Sequence, residues 1–455
     1  MTIRCLHKLF ILISCLILTA CASLPDVSKF HDVTSAVPTS HAASSRAARQ
    51  QPTTLHLQKL RALEQTSGNK VTLLFDGPEI MAAMINAISH AKNHINFETY
   101  IFDQDELGRD FAALLIAKQR AGVPVKIIYD SVGTIGTPSA FFESMRDAGI
   151  QLIEFNPVNP LKRFGRWRLN NRDHRKILVV DGKIAFTGGV NISAAYANSS
   201  LFRAFKRRKQ EVSTAVGWRD THIQIEGPAV AQLQLAFLRN WNKQHTADKS
   251  DANAIEEIVN LEDVSYFPPL PHAGDKTLRV LISQPGGDYA IYKAYILAMR
   301  NARKTIHITT PYFAPDPQMI RELIHAAQRG VKIKMIFPSV SDSGLVFQAG
   351  QSFYDQLLNA GIKIYQLKGT VLHAKTAVID GTWSTVGSSN LDIRSFLHNY
   401  EANVVILGKE FGNEMEQAFL DDLSSSDEIN KEIWDQRSLT QKTKEWVARS
   451  LIYWL

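Results

Sequence analysis

The chain has 455 residues, too many for one small domain and enough for two of about 150–200 residues. Its composition, 45% hydrophobic and 21% charged, is ordinary for a globular protein and leaves material for a sizeable core in each half. With 51 basic and 44 acidic residues the net charge is +7, which suits anionic partners such as phospholipid surfaces or nucleic acid without choosing between them.

The chain opens with Arg4 and Lys8, followed by the apolar run Leu9 to Thr19. That run is too short to span a bilayer comfortably, which takes about 20 residues. Residues 1–20 have the layout of a secretory signal: basic start, apolar middle, small residues at the end. Leu18-Thr19-Ala20-Cys21 resembles a bacterial lipobox, in which Cys21 is lipidated and becomes the first residue. An uncleaved membrane anchor is the alternative. Ala22, rather than Asp, after the cysteine implies an outer-membrane address facing the periplasm, with the inner membrane as alternative. All three cysteines, Cys5, Cys15 and Cys21, lie in this leader, so neither a disulfide nor a cysteine metal site is expected. Residues 21–54, rich in Ser, Ala, Thr, Pro and His, read as a flexible tether.

The remainder repeats itself. Residues 94–102 (HINFETYIF) form a β-like run, then Ala113 to Arg120 has helical spacing and stops at Gly122. A strand follows at Val125–Tyr129, and Gly149 precedes another at Ile150–Ile153. The second copy runs through residues 305–313 (TIHITTPYF), Leu323–Arg329, Gly330, Ile333–Phe337 and Gly361 to Tyr365. Gly past a helix is a C-cap signal, and strands alternating with helices predict mainly parallel sheets covered by helices. The expected layout is one half over 55–250, a Pro-rich linker at 251–277, a second half over 278–423 and a C-terminal amphipathic helix in 424–455. The tail, with Trp434, Trp446, Leu451, Ile452, Tyr453 and Trp454, is expected to dock on the core; contact with a membrane interface is the alternative.

Each half carries one copy of HxKx4Dx6GxxN: His174, Lys176, Asp181 and Asn191 in the first, His373, Lys375, Asp380 and Asn390 in the second. On a strand, His and Lys two positions apart point to one face. Imidazole can form a covalent phospho-enzyme intermediate, and a second imidazole can protonate the leaving alkoxide and then deprotonate the acceptor. The lysines, with Asn191, Ser388 and Asn390, can hold the non-bridging oxygens of a phosphodiester. The glycines before each Asn let backbone approach the phosphate. Such a site needs both copies and no metal or cofactor.

These motifs resemble the phospholipase D superfamily, specifically the bacterial cardiolipin synthases, from about Val71 to Leu423. Further similar stretches are Phe97–Phe102, Tyr129–Gly133, Trp218–His222, Thr310–Phe313, Ser341–Ser343, Asn390–Ser395 and Asn399–Asn403. The resemblance implies two similar α/β domains related by a pseudo-two-fold axis, with one active site at their interface. It implies that Asp220 and Glu401 orient the imidazole of their own half's motif, and that Asp181 and Asp380 rank below the His-Lys pairs. It implies a phosphatidyltransferase acting on phosphatidylglycerol at a membrane surface through a phosphohistidine, with His174 favoured as nucleophile. Two departures stand out. Gly189 occupies the place of Ser388, and a short leader replaces the family's two N-terminal membrane spans.

The first half has extra sequence on both sides of its motif. One stretch includes Lys162, Arg163, Phe164, Arg166, Trp167 and Arg168; the other includes Phe202, Arg203, Phe205 and Lys206 to Lys209. They read either as solvated basic loops or as a rim for anionic headgroups. Such mixtures also suit single-stranded nucleic acid, a less favoured partner. His90, His94, His222, His307 and His398 lack ligand spacing and read as core or surface residues. Two alternatives stay open: a phospholipase D hydrolase or nuclease on the same scaffold, and a non-catalytic lipid-binding envelope lipoprotein.

Overall fold

The computed structural model describes residues 23–27, 65–163, 170–197, 217–247, 263–341 and 343–453. Cys21 with its leader, most of the expected tether, residues 251–262 of the expected linker, the second basic-aromatic stretch and most of the first lie outside the described residues. Ser23–Val27 departs from the tether expectation. Val27 is fully buried; its N–H donates to Gln318 (3.1 Å) and its carbonyl accepts from Arg300 (3.0 Å).

The first half runs β1 (Thr66–Phe75), α1 (Asp76–Ser89), β2 (Ile95–Thr99), α2 (Glu106–Arg120), β3 (Val125–Asp130), α3 (Ser139–Asp147) and β4 (Gln151–Phe155). It continues through β5 (Arg172–Asp173), β6 (Ile177–Val180), β7 (Ile184–Gly188), β8 (Thr221–Glu226) and α4 (Val230–Ala247). The second half repeats this with β9 (Lys276–Ser283), α5 (Ala290–Asn301), β10 (Thr305–Thr309), β11 (Phe313–Ala314), α6 (Pro317–Gln328), β12 (Lys332–Pro338), α7 (Gly344–Gln351), α8 (Tyr354–Asn359) and β13 (Lys363–Leu367). Then come β14 (Thr376–Ile379), β15 (Trp383–Gly387), β16 (Leu391–Asp392), α9 (Ile393–Leu397), β17 (Asn399–Leu407) and α10 (Lys409–Leu423). A tail adds β18 (Ser426–Glu428), α11 (Lys431–Asp435) and α12 (Leu439–Ser450).

Local chemistry explains the repeated helices. In α2 the Asp105 carboxylate caps the Gly108 N–H at 2.9 Å, Phe111 and Leu115 form the buried face, and Gly122 (φ +86°) follows the end. In α6 Asp316 caps Gln318 and Met319, Pro317 starts the helix, and Gly330 (φ +91°) follows it.

The sheet corrects the expectation of mainly parallel sheets in two separate domains. One continuous mixed sheet has the order β18-β13-β12-β10-β14-β15-β17-β9-β1-β8-β7-β6-β2-β3-β4, a near-palindrome about the β9–β1 seam. Only β2-β3-β4 and β10-β12-β13 run parallel along this path. The seam is antiparallel: β1 pairs with β8 and β9, and β9 pairs with β17. The motif strands are antiparallel hairpins, β6–β7 and β14–β15. Their turns are Asp-Gly pairs, Asp181-Gly182 and Asp380-Gly381, with all four residues at φ between +53° and +64°. Each pair sits at the centre of a left-handed turn, closed by the Lys183 N–H on Val180 O (2.9 Å) or the Thr382 N–H on Ile379 O (3.2 Å), within a three-residue loop short enough to force antiparallel pairing. Each half keeps its own apolar core under α1–α3 or α5–α8. A third core crosses the seam, packing Ile177, Ile223 and Leu233 with Leu278, Val404 and Phe411. The halves are thus fused through sheet and core.

Candidate active site

Each motif histidine sits just ahead of its hairpin, and a strand of the other half fixes its place. β5 pairs in parallel with the start of β17, and the His174 N–H donates to Tyr400 O at 3.0 Å. This brings Glu401, the next residue of β17, onto the imidazole: His174 Nδ1 lies 3.1 and 3.2 Å from its two carboxylate oxygens. Correspondingly, Arg219 bridges to Leu372, the His373 N–H donates to Arg219 O at 2.8 Å, and His373 Nδ1 lies 2.7 Å from Asp220 Oδ2. The orienting carboxylates are therefore exchanged between halves. Asp220 serves His373 and Glu401 serves His174, contrary to the expectation that each acid backs the histidine of its own motif. Sheet pairing across the seam is the reason; spacing within one half could not reveal it. A carboxylate on Nδ1 fixes the tautomer that exposes Nε2.

The two halves hold these acids differently. Ser388 donates its hydroxyl to Glu401 and is fully buried. It is thus a support for the orienting acid and not, as expected from the motif, a phosphate contact. At the equivalent Gly189, a Cβ would lie 2.1 Å from Asp220 Oδ1, so the shorter acid fills the room a side chain would take. Asn399 donates to Glu401 at 3.1 Å, and Tyr196 places its hydroxyl 3.1 Å from His373 Nδ1.

Lys176 and Lys375 turn back so that each ammonium donates to the carbonyl of its own motif histidine, Lys176 at 2.6 Å. Lys176 also lies over the Tyr100 ring. Burial, and next the charge of Lys176, lowers the His174 pKa; Glu401 opposes this. Burial, and next Lys375, takes His373 down to about 4. Burial also lowers Lys176 to about 7; Glu401 opposes the shift and Lys375 adds to it. Burial pushes both carboxylic acids up, but the facing histidine and nearby lysine outweigh it and hold Asp220 and Glu401 below their ordinary values. The free site thus presents neutral imidazoles on ionised carboxylates, beside lysine charge that is only partly compensated.

His174 and His373 open on one cavity of about 260 Å³ between the halves. Asn191, Asn390, Tyr100, Arg172, Trp218, Tyr312, Ser343, Arg394 and Asn399 are among its walls. Asn191 is already engaged: its Oδ1 accepts the Ile101 N–H (3.1 Å) and its Nδ2 donates to Tyr196 (3.2 Å). Among the described residues, the buried Oδ1 atoms of Asn390 and Asn399 have no protein donor, which leaves acceptors for a ligand hydroxyl. A larger cavity between α4 and β9, about 610 Å³ and lined by Arg239, Lys243 and Arg279, includes neither histidine.

Asp181 and Asp380, expected as lesser members of the catalytic set, are outside it. The Asp181 carboxylate accepts the N–H groups of Lys92, Asn93 and His94, and Asp380 accepts those of Arg303, Lys304 and Thr305. Each pins the turn before β2 or β10 from its place in a hairpin turn. Buried ion pairs flank the first motif: Arg175 with Glu98 (2.7 Å) and Asp173 (3.2 Å), and Arg172 with Asp130 (3.4 Å). Arg219 holds Asp422 through two contacts, 2.7 and 2.8 Å. Sequence reasoning gave no role to Tyr196, Trp218, Asn399 or these arginines. Of the first basic-aromatic stretch, the Lys162 side chain is described, paired with Glu154 at 2.7 Å. Of the other histidines, His94, His222 and His307 are buried away from the cavity.

Comparisons with known proteins agree with this geometry. The family model described as cardiolipin synthase, PLD-like domain, matches residues 84–201 and 295–423. The chain is 35% identical over 388 residues to the cardiolipin synthase of Listeria monocytogenes, covering 85% of this chain and 75% of that protein. It is 33% identical over 397 residues to cardiolipin synthase 2 of Bacillus cereus, covering 86% and 72%. Among solved structures, phosphatidylserine synthase of Haemophilus influenzae superposes with a TM-score of 0.61 at 14% identity, covering 88% of this chain and 97% of that one; this likeness speaks to fold alone. With its two matched segments now seen to share one cavity, the chain belongs to the cardiolipin synthase family of the phospholipase D superfamily.

Proposed function

We propose that the protein is a phosphatidyltransferase that makes cardiolipin from two molecules of phosphatidylglycerol, by way of a phosphohistidine. The observation that carries this reading is the pair of imidazoles, each held by a buried carboxylate from the opposite half, on one cavity with two lysines beside them. Family membership supports the choice of substrate.

In this reading Lys176 and Lys375 neutralise the phosphodiester, and neutral His174 attacks phosphorus through Nε2. His174 is favoured because it is the more open imidazole, its side chain 12% exposed against 8% for His373. The P–O bond to the headgroup glycerol breaks, and His373 supplies the proton to the departing alkoxide. Burial and, next, the charge of Lys375 keep His373 deprotonated in the free site; the anionic phosphate offsets the lysine part, so binding raises its proton affinity. After glycerol leaves, a hydroxyl of a second phosphatidylglycerol enters. His373 takes its proton, the oxygen bonds to phosphorus, and the His174–phosphorus bond breaks. The open acceptors of Asn390 and Asn399 suit hydroxyls of glycerol.

The test is incubation of purified protein with phosphatidylglycerol labelled in its glycerol headgroup. Equal amounts of cardiolipin and free glycerol, both abolished in His373→Ala, are expected. Phosphatidic acid in place of cardiolipin would make the enzyme a hydrolase, and no product would leave a non-catalytic lipid-binding protein. We also propose that Cys21 carries a lipid anchor at the envelope membrane; labelled palmitate should enter the wild-type chain and not Cys21→Ser.

A further inference from the structure

The tail is built inside out. α12 turns Gln441, Glu445 and Ala448 toward α7 and α8, and Glu445 is only 3% exposed. The contacts are polar. Glu445 accepts from Arg437 (2.9 Å) and Gln441 (3.0 Å), Gln441 also donates to Gln348 (2.6 Å), and Arg437 pairs with Asp355 (2.7 Å). The apolar residues face outward instead: Leu439 is 82% exposed, Trp446 70%, and Val447 and Leu451 are exposed too. Residues 439, 446, 447 and 451 follow helical spacing, so they form one stripe. The expectation that Trp446 docks on the core therefore fails, while Trp434 does pack on Tyr354. An apolar helix stripe in water is unfavourable unless something covers it.

We propose that this stripe, with the neighbouring face of α7, is a docking surface for an anionic phospholipid bilayer; this rests on the phosphatidyl-transfer reading above. Two observations select that occupant. The first is charge. The exposed positions of α12 carry Lys442 and Lys444, while its one acidic residue, Glu445, is turned inward and Arg449 lies over the Phe353 ring. Trp and Lys beside exposed aliphatic residues suit the headgroup zone of an anionic membrane. The second is continuity with the catalytic cavity. Leu345 and Gln348 of α7 line an apolar groove of about 710 Å³ with Leu439, Thr443 and Val447. Ser343 and Val346, at the start of the same helix, line the cavity that holds both histidines. A bilayer seated on the stripe meets the mouth of the site, so a headgroup can reach the lysines while its acyl chains stay in the membrane.

The test uses the full chain on vesicles of phosphatidylglycerol and phosphatidylcholine with brominated acyl chains. Trp446 emission is taken as the difference between wild type and Trp446→Phe. At least half of that emission is expected to be quenched. In the triple variant Leu439→Asp, Trp446→Asp, Val447→Asp, turnover of bilayer phosphatidylglycerol should fall at least tenfold. Turnover of a monomeric short-chain phosphatidylglycerol should stay within twofold of wild type. Unquenched Trp446, or unchanged bilayer turnover in the triple variant, overturns the proposal. Unquenched Trp446 with a sedimentation mass that rises with concentration would show a second copy covering the face. A wild type inactive on both substrates would sink the phosphatidyl-transfer reading, and quenching would then decide docking alone.

Discussion

His174 takes its carboxylate from Glu401 and His373 from Asp220, and this crossing makes a sharp prediction. Each acid raises the pKa of the imidazole it faces. In Glu401→Gln, the His174 titration seen by NMR should move to lower pH while His373 stays put; Asp220→Asn should do the reverse. The opposite assignment would contradict the crossed pairing. Loss of either acid should lower kcat by about 10²–10⁴, as expected when a histidine loses the group that fixes its tautomer. A second prediction concerns Lys176, charged below about 7 and neutral above it in the free enzyme. Because kcat/KM reports the free enzyme, it should fall on the alkaline side with a midpoint near 7, and bound phosphate should shift the limb of kcat upward. Lys176→Arg should remove that alkaline limb, since guanidinium stays protonated. On the acid side, both imidazole pKa values are depressed, so activity should persist below the ordinary histidine pKa of about 6.5. The histidines and lysines were legible in the sequence because two copies at equal spacing leave little room for chance; the two acids, 46 and 28 positions beyond their histidines, were implied only by the family resemblance. Which acid serves which imidazole was not legible. A carboxylate reaches an imidazole through strand pairing, and Arg172–Asp173 with Asn399–Tyr400 gives no sign in sequence of lying side by side.

The β6–β7 and β14–β15 hairpins show a motif doing two jobs. The Asp of HxKx4D opens a left-handed Asp-Gly turn and collects three backbone N–H groups from the preceding loop. Asp181→Ala removes those acceptors and puts a Cβ-bearing residue without a polar side chain at φ +55°. It should cost about 2 kcal/mol and lower Tm by a few degrees, with kcat per folded molecule changed less than twofold. A large loss of kcat at full stability would restore Asp181 to the catalytic set. The Asp-Gly pairs were plain in the sequence and are a known hairpin signal. Reading the motif as chemistry hid them, and with them the antiparallel half of the sheet. The repeated strand–helix–Gly units were readable because caps and glycine stops act locally, as Asp105 with Gly122 and Asp316 with Gly330 show. The orientation of α12 was not readable, because its apolar spacing is the same whether the stripe faces in or out.

The pseudo-two-fold order of the sheet was foreshadowed by the internal repeat, but its fusion was not. Edge strands β1 and β9 are free to pair with many partners, and only the folded chain shows that they pair with each other. The shared core of Ile223, Leu278 and Val404 makes that seam part of both halves. Calorimetry should therefore show one cooperative unfolding transition for the two halves, with calorimetric and van't Hoff enthalpies equal. Two separated transitions would mean independent domains. The same fusion builds the site, since each histidine needs an acid from across the seam. The most direct check is to mix the enzyme with phosphatidylglycerol labelled in its phosphate, quench within a turnover in alkaline denaturant, where phosphohistidine survives, and map the label. The account predicts label on His174, absent when His174 is replaced by Ala. Label on His373 would reverse the roles of the two histidines, and turnover to cardiolipin with label on neither would contradict the covalent route.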